Sequence, residues 1–156
     1  MAKTIKPPTK LTDVMFKGRT IFTAGTIDMG NSENWQDKIC TGLNDSYTVF
    51  NPRRDDWDSS WKQEIGNKQF RDQVEWELEA LEKCELIIMV FLKDSESPIS
   101  LLELGLHAKD DKMVVYCPEG FYRKGNVDIV CKKHDIPQFD SIDNLIIHLN
   151  SFNKKQ

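Results

Sequence analysis

Residues 85–92 read Glu-Leu-Ile-Ile-Met-Val-Phe-Leu, an almost unbroken apolar run that is short for a buried helix. A strand with one wet face would alternate apolar and polar residues. This run does not alternate, so both of its faces must be covered. Such a run is typical of a central strand in a parallel sheet, whose neighbours are joined by helices crossing over one face. The next segments supply such a unit. Ser97 and Pro98 suit a helix cap and first turn. Ile99, Leu101, Leu102, Leu104, Leu106 and Ala108 make the helix apolar nearly all round, and Lys-Met-Val-Val-Tyr-Cys at 112–117 reads as a second buried strand.

The same alternation extends in both directions. Residues 18–26 read as a strand ending in a glycine turn. Residues 31–45 read as a helix capped by Asn31 or Ser32, with Ile39, Gly42 and Leu43 facing inward. A strand at 46–52 stops at Pro52. The most regular helix spans 67–84, where Phe70, Val74, Leu78 and Leu81 recur every three or four residues. After an irregular stretch at 118–125 come a helix from Asn126 to about Lys133, a short strand at 136–139 and an amphipathic helix through Leu149. The pattern predicts an α/β, flavodoxin-like three-layer sandwich on a mostly parallel sheet of about five strands. It is expected to form a single domain over 18–152, behind a flexible arm at 1–17.

Charge and composition narrow the partners. The net charge is −4 with no basic cluster, which argues against duplex nucleic acid. No apolar run approaches the roughly 18 residues of a spanning helix, so no membrane partner is expected. The N-terminal Met-Ala-Lys-Thr-Ile-Lys-Pro-Pro-Thr-Lys lacks the apolar core of a secretory signal. Cys40, Cys84, Cys117 and Cys131 form no C-x-x-C pair and read as buried free thiols of a reducing, cytoplasmic compartment. The three histidines are not at ligand spacing either, and neither a metal nor a cofactor is expected.

Ligands of open parallel sheets bind outside the carboxyl ends of the strands. Four loops fall there: 24–35, 51–61, 93–103 and 118–126. The first carries Gly25, Asp28 and Gly30, and reads either as an anion or sugar cradle or as an ordinary turn; it matches neither a Walker loop nor G-x-G-x-x-G. The second, Asn-Pro-Arg-Arg-Asp-Asp-Trp-Asp-Ser-Ser-Trp, reads either as a planar-ligand site built on Trp57 and Trp61 or as an Arg–Asp network stiffening a long loop.

The third loop leads to Glu103. No Lys or Arg lies three or four residues away on its helix, and its same-face neighbours are Ile99, Ser100, Leu106 and His107. A carboxylate buried without a partner is costly. Either an arginine such as Arg53 or Arg54 reaches it, or it faces a polar cavity as a nucleophile or acid–base group.

Ser-Pro-Ile-Ser-Leu-Leu-Glu-Leu-Gly-Leu-His-Ala at 97–108, with the upstream 77–91 segment, Thr-Ile-Phe-Thr-Ala-Gly at 20–25, the 51–61 loop and the 118–131 segment, resembles the nucleoside 2-deoxyribosyltransferases and related nucleotide N-glycosidases, specifically their deoxyribosyltransferase-like branch. The resemblance covers roughly residues 18–135. It implies N-glycosyl transfer or hydrolysis on a (deoxy)nucleoside or its 5′-monophosphate, with Glu103 attacking the anomeric carbon as in retaining glycosidases. The alternative on the same fold is a non-catalytic nucleotide-binding module.

Further roles follow from the resemblance. Glu77 aligns with the acid that assists the leaving base, usually Asp, and Asp56 is a second candidate. Gly25 and Asp28 are expected along the sugar, and Trp57 on the base. Ser97 is expected at the 5′ end, where Arg53, Arg54 or Arg123 adds charge. Asn126 corresponds to a residue that enters a neighbouring subunit's site, which implies a homo-oligomer. Asp55, in the loop, and Asp128, beside Asn126, complete the expected substrate contacts. Phe22 stands where the family usually has a Tyr that orients the nucleophile, and Thr23 or Thr26 is the candidate to supply a hydroxyl in its place.

Overall fold

The structure, a computed structural model, describes residues 1–152. Among them, β1 (Lys3–Ile5), β2 (Arg19–Gly25), β3 (Tyr47–Phe50), β4 (Leu86–Val90), β5 (Met113–Tyr116) and β6 (Gln138–Phe139) form one sheet in the order β1-β3-β2-β4-β5-β6. Every pairing is parallel. The helices are α1 (Trp35–Gly42), α2 (Lys68–Lys83), α3 (Pro98–His107), α4 (Lys124–Lys133) and α5 (Ile142–Ser151).

The run at 85–92 behaves as its composition dictates. Ile87 and Met89 pack on one face with Phe22 and Phe50, against Trp76 and Leu81 of α2, Leu104 of α3 and Val127 of α4. Ile88 and Val90 pack on the other with Ile21 and Val49, against Trp35 and Ile39 of α1 and Leu145 of α5. Each such side chain contributes about 1.5–3 kcal/mol on full burial, so β4 is the strand around which both layers close. The fold is the expected flavodoxin-like three-layer sandwich.

Six strands replace the expected five because Lys3–Ile5 pairs with Thr48–Phe50. The N-terminal arm is therefore part of the sheet. It is fastened further by Ala2 N donating to Cys40 O (3.1 Å) and by Trp76 Nε1 donating to Thr9 O (2.9 Å). A three-residue strand carries no periodicity of its own, so only its pairing reveals it.

Three helices differ from their sequence reading. Asn34, not Asn31 or Ser32, caps α1, its Oδ1 accepting from Asp37 N at 3.3 Å. On α2 the buried positions are Gln73, Trp76, Ala80 and Leu81, while Leu78 is exposed. The indole of Trp76, tilted against Phe22 and Phe50, takes the inward stripe and turns Leu78 out. On α3 the inward residues are Ser100, Glu103 and Leu104, and Ile99, Leu102 and Leu106 are each more than half exposed. This helix is not buried all round. It turns an acid and a hydroxyl inward and an apolar stripe outward.

The order of strand addition reverses between the parallel neighbours β2 and β4, so the loops leaving these strands diverge to opposite faces and open a crevice at their carboxyl ends. Gly25 closes the base of that crevice at φ +143°. A Cβ there would lie 2.1 Å from Val90 O and 2.9 Å from the Trp35 ring. Only glycine lets β2 end this close to β4, which explains the residue without a ligand.

Candidate active site

Glu103 projects from the second turn of α3 and is only 7% exposed. It makes no hydrogen bond or ion pair with any described residue, and neither Arg53 nor Arg54 reaches it. Burial first, and then the charge of Glu77, raise its pKa to about 8. Glu77 is half-buried on α2. Burial of its carboxyl raises its pKa to about 7, opposed by Gln73, whose Nε2 donates to Glu77 Oε1 at 2.6 Å. Two acids whose charges interact cannot both ionise cheaply, so the protons belong to the pair. Near neutral pH such a pair holds a carboxylate and a carboxylic acid together. This is what displacement of a poor leaving group requires: a nucleophile, and a proton for the departing atom.

The switch-point loops meet through a row of hydroxyls. Thr26 Oγ1 lies 2.5 Å from Ser97 Oγ, Ser97 Oγ lies 2.7 Å from Ser95 Oγ, and Ser95 Oγ donates to Asp28 Oδ1 at 3.2 Å. Leu92 N donates to Thr26 Oγ1 at 3.0 Å. Ser97 occupies the cap position of α3 at φ +46°, but its side chain caps nothing. The expected cap is thus corrected: the hydroxyl turns away from the helix to join Thr26 and Ser95. A non-glycine residue in the left-handed region is strained, and such strain persists only where its surroundings enforce it. A cleft of about 500 Å³ lies alongside, lined in part by Asp28, Ser32, Lys93 and Ser95. A second cleft, of about 520 Å³, lies at the amino ends of the strands among Arg19, Tyr47, His134 and His148.

Other expected contacts lie elsewhere. Arg53 is buried, and its guanidinium donates to Gly30 O (3.0 Å), Ser32 O (2.8 Å) and Glu33 O (3.2 Å). Its donors fasten the β2–α1 loop and are not offered to a phosphate. Arg54 forks onto Asp56, at 2.8 Å to each oxygen, and lies over the Trp61 ring. The guanidinium beside exposed Asp56 lowers its pKa, so Asp56 is held ionised and is unsuited to protonate a leaving base. Asp55 is exposed opposite Lys6. Trp57 packs edge-on against Trp61, ring centroids 5.1 Å apart. The 51–61 loop is therefore stiffened by the Arg–Asp network that its sequence allows.

Phe22 is buried in the core against Trp76 and lacks a hydroxyl with which to orient a nucleophile. Thr23 Oγ1 donates to Phe50 O (3.4 Å), and Thr26 is engaged as above, so neither hydroxyl is bonded to Glu103. Asn126 is exposed on the first turn of α4, and Arg123 stacks on Tyr122. Asp128 accepts from Lys124 Nζ at 3.0 Å.

Sequence reasoning missed Gln73 and Ser95. Gln73 stands four residues before Glu77, a helical spacing that puts both on one face, but nothing in the sequence marks the amide as buried.

A family model described as nucleoside 2-deoxyribosyltransferase like matches residues 18–121, well over half of the chain. The chain belongs to this family. The matched span holds β2 through β5, and with them Glu77, Ser95, Ser97 and Glu103. It ends before α4, so Asn126 and Asp128 lie outside it. No curated protein matches the chain. Within this nucleoside 2-deoxyribosyltransferase-like chain, the matched span carries both the charge-coupled acids Glu77 and Glu103 and the row of hydroxyls at the switch point.

Proposed function

We propose that the protein cleaves the N-glycosidic bond of a (deoxy)nucleoside or its 5′-monophosphate through a covalent glycosyl-Glu103 intermediate. The observation that carries this reading is Glu103 itself: a buried carboxyl without a salt bridge, charge-coupled to a second acid. Its carboxylate attacks the anomeric carbon while Glu77 protonates the base, and water or a second base then releases the sugar. The row Thr26–Ser97–Ser95–Asp28 supplies hydroxyl and carboxylate partners for the sugar end.

A non-catalytic nucleotide-binding module is favoured by one observation. Phe22 sits sealed in the core at the position where the family's orienting phenol is expected.

Incubation with a panel of nucleosides and monophosphates, with and without acceptor bases, separates the two readings. Chromatography then resolves exchanged nucleoside from free sugar. Cleavage is expected, and Glu103→Gln, which keeps shape and removes the nucleophile, is expected to lower it by several orders of magnitude while melting no earlier than wild type. A variant within about tenfold of wild type overturns the assignment of Glu103, because general acid–base assistance alone is worth about 10²–10⁴-fold. Binding without any cleavage supports the module.

A further inference from the structure

Gln73 carries the one amide on the inward stripe of α2 and is buried. Both hydrogens of its Nε2 are used, one on Pro52 O at 3.1 Å and one on Glu77 Oε1 at 2.6 Å. A backbone carbonyl can only accept, so this bond fixes which end of the amide is oxygen. That oxygen, Oε1, is buried with no partner among the described residues. Asn51 Nδ2 and Trp57 Nε1, likewise buried, do not satisfy it. A buried acceptor without a donor is uncommon in folded proteins and calls for an explanation. Since Oε1 belongs to the amide whose nitrogen touches Glu77, an unfilled acceptor and an acid lie side by side.

We propose that Gln73 and Glu77 together read the leaving base and select a 6-aminopurine over a 6-oxopurine; this rests on the roles of Glu103 and Glu77 given above. A 6-aminopurine presents an N6–H donor beside the N7 acceptor, whereas a 6-oxopurine presents two acceptors, O6 and N7. The amino group donates to Gln73 Oε1, and N7 faces the Glu77 proton. An oxo group would set oxygen against oxygen and leave Gln73 unpaired. Sites built to hydrogen-bond a donor reject the analogue that lacks it.

The step balances. A Glu103 oxygen forms the bond to C1′ as the C1′–N9 bond breaks. The bonding pair returns to the purine, N7 takes the proton from Glu77, and the base leaves neutral. Glu77 is then a carboxylate, ready to take the proton of the water or base that resolves the ester. The two acids share their protons, and the step uses the singly protonated form of the pair in which Glu103 is the carboxylate and Glu77 carries the proton.

The test is a double cycle of kcat/KM on the full chain. Wild type and Gln73→Met are each assayed with 2′-deoxynucleosides of 6-aminopurine, of 6-oxopurine and of purine with hydrogen at position 6. Melting temperatures are recorded in parallel, and Gln73→Glu, which keeps an acceptor, serves as the second variant. Wild type is expected to prefer the amino substrate by tenfold or more, and Gln73→Met to erase most of that preference. Removing the amino group and the amide together should cost little more than removing either alone. Equal use of amino and oxo substrates by wild type, or strictly additive losses, would overturn the role of Gln73 while leaving the cleavage reading intact. No cleavage of any substrate at all would overturn both.

Discussion

The charge of Glu77 on α2 raises the proton affinity of Glu103 on α3, so the two acids act as one titrating unit between helices that share a face of the sheet. A carboxyl whose pKa is higher in the folded chain than in the unfolded one binds protons more tightly when folded. Its effect on stability is absent below the unfolded value and complete above the folded one. Here that window runs from the ordinary value of 4.5 up to about 7 for Glu77 and about 8 for Glu103. The protein is therefore expected to lose stability, by about 2–5 kcal/mol per acid at most, as pH rises through this range. Glu103→Gln should melt higher than wild type at pH 8.5 and nearly together with it at pH 4.5. Identical pH dependence in the two proteins would show that Glu103 is not buried as described.

Gly25→Ala is expected to destabilise the fold by about 3 kcal/mol or more, because the added methyl meets backbone and an indole, neither of which can move aside cheaply. Denaturant unfolding measures it. A loss below about 1 kcal/mol would mean that β2 and β4 can separate at their carboxyl ends, a looser crevice than the Thr26 N–Val90 O bond of 3.0 Å implies.

Ser97→Asp tests the sugar end. The new carboxylate would stand among Thr26, Ser95 and Asp28, where serine now shares hydrogen bonds. We expect it to weaken a nucleoside 5′-monophosphate more than the free nucleoside, by about 1–3 kcal/mol. Asp tolerates the left-handed backbone at this position at least as well as Ser, so folding should survive. Calorimetric titration of both ligands decides, and equal affinities for both proteins would remove Ser97 from the phosphate end.

The exposed stripe Ile99–Leu102–Leu106 leads to an expectation of at least a dimer. Such a stripe on a helix is the usual mark of a covered surface. Light scattering at micromolar concentration should show an assembly that Leu102→Lys weakens. A monomeric wild type would count against it and would also release Asn126 from any role in a neighbouring site.

Much of the fold was legible because burial on two faces leaves a mark in composition. Ile87, Ile88, Met89 and Val90 could hardly be anything but a central strand, and the helix that follows had to cross over. Glu103 was legible because it had no partner on its own helix. The register of α2 was not, since Phe70, Val74 and Leu78 have the right spacing and lose only to the bulk of Trp76. Nor could the sequence separate Asp56 from Glu77 as the second acid. The difference is made by Arg54, two residues from Asp56, and by the burial that only the assembled sheet provides. β1 was invisible because its three residues gain their structure from β3.

Arg53 enters the interior with no carboxylate among its described partners, held instead by carbonyl oxygens of Gly30, Ser32 and Glu33. Peptide carbonyls, unlike a carboxylate partner, carry no group that protons can alter. The latch between the β2–α1 loop and the start of the β3–α2 loop thus rests on acceptors that acid leaves unchanged, while Glu77 and Glu103 respond to it. Proton uptake and release alter the charge on Glu77 and Glu103, and with it the stability of the fold, without changing the acceptors that hold Arg53 in place.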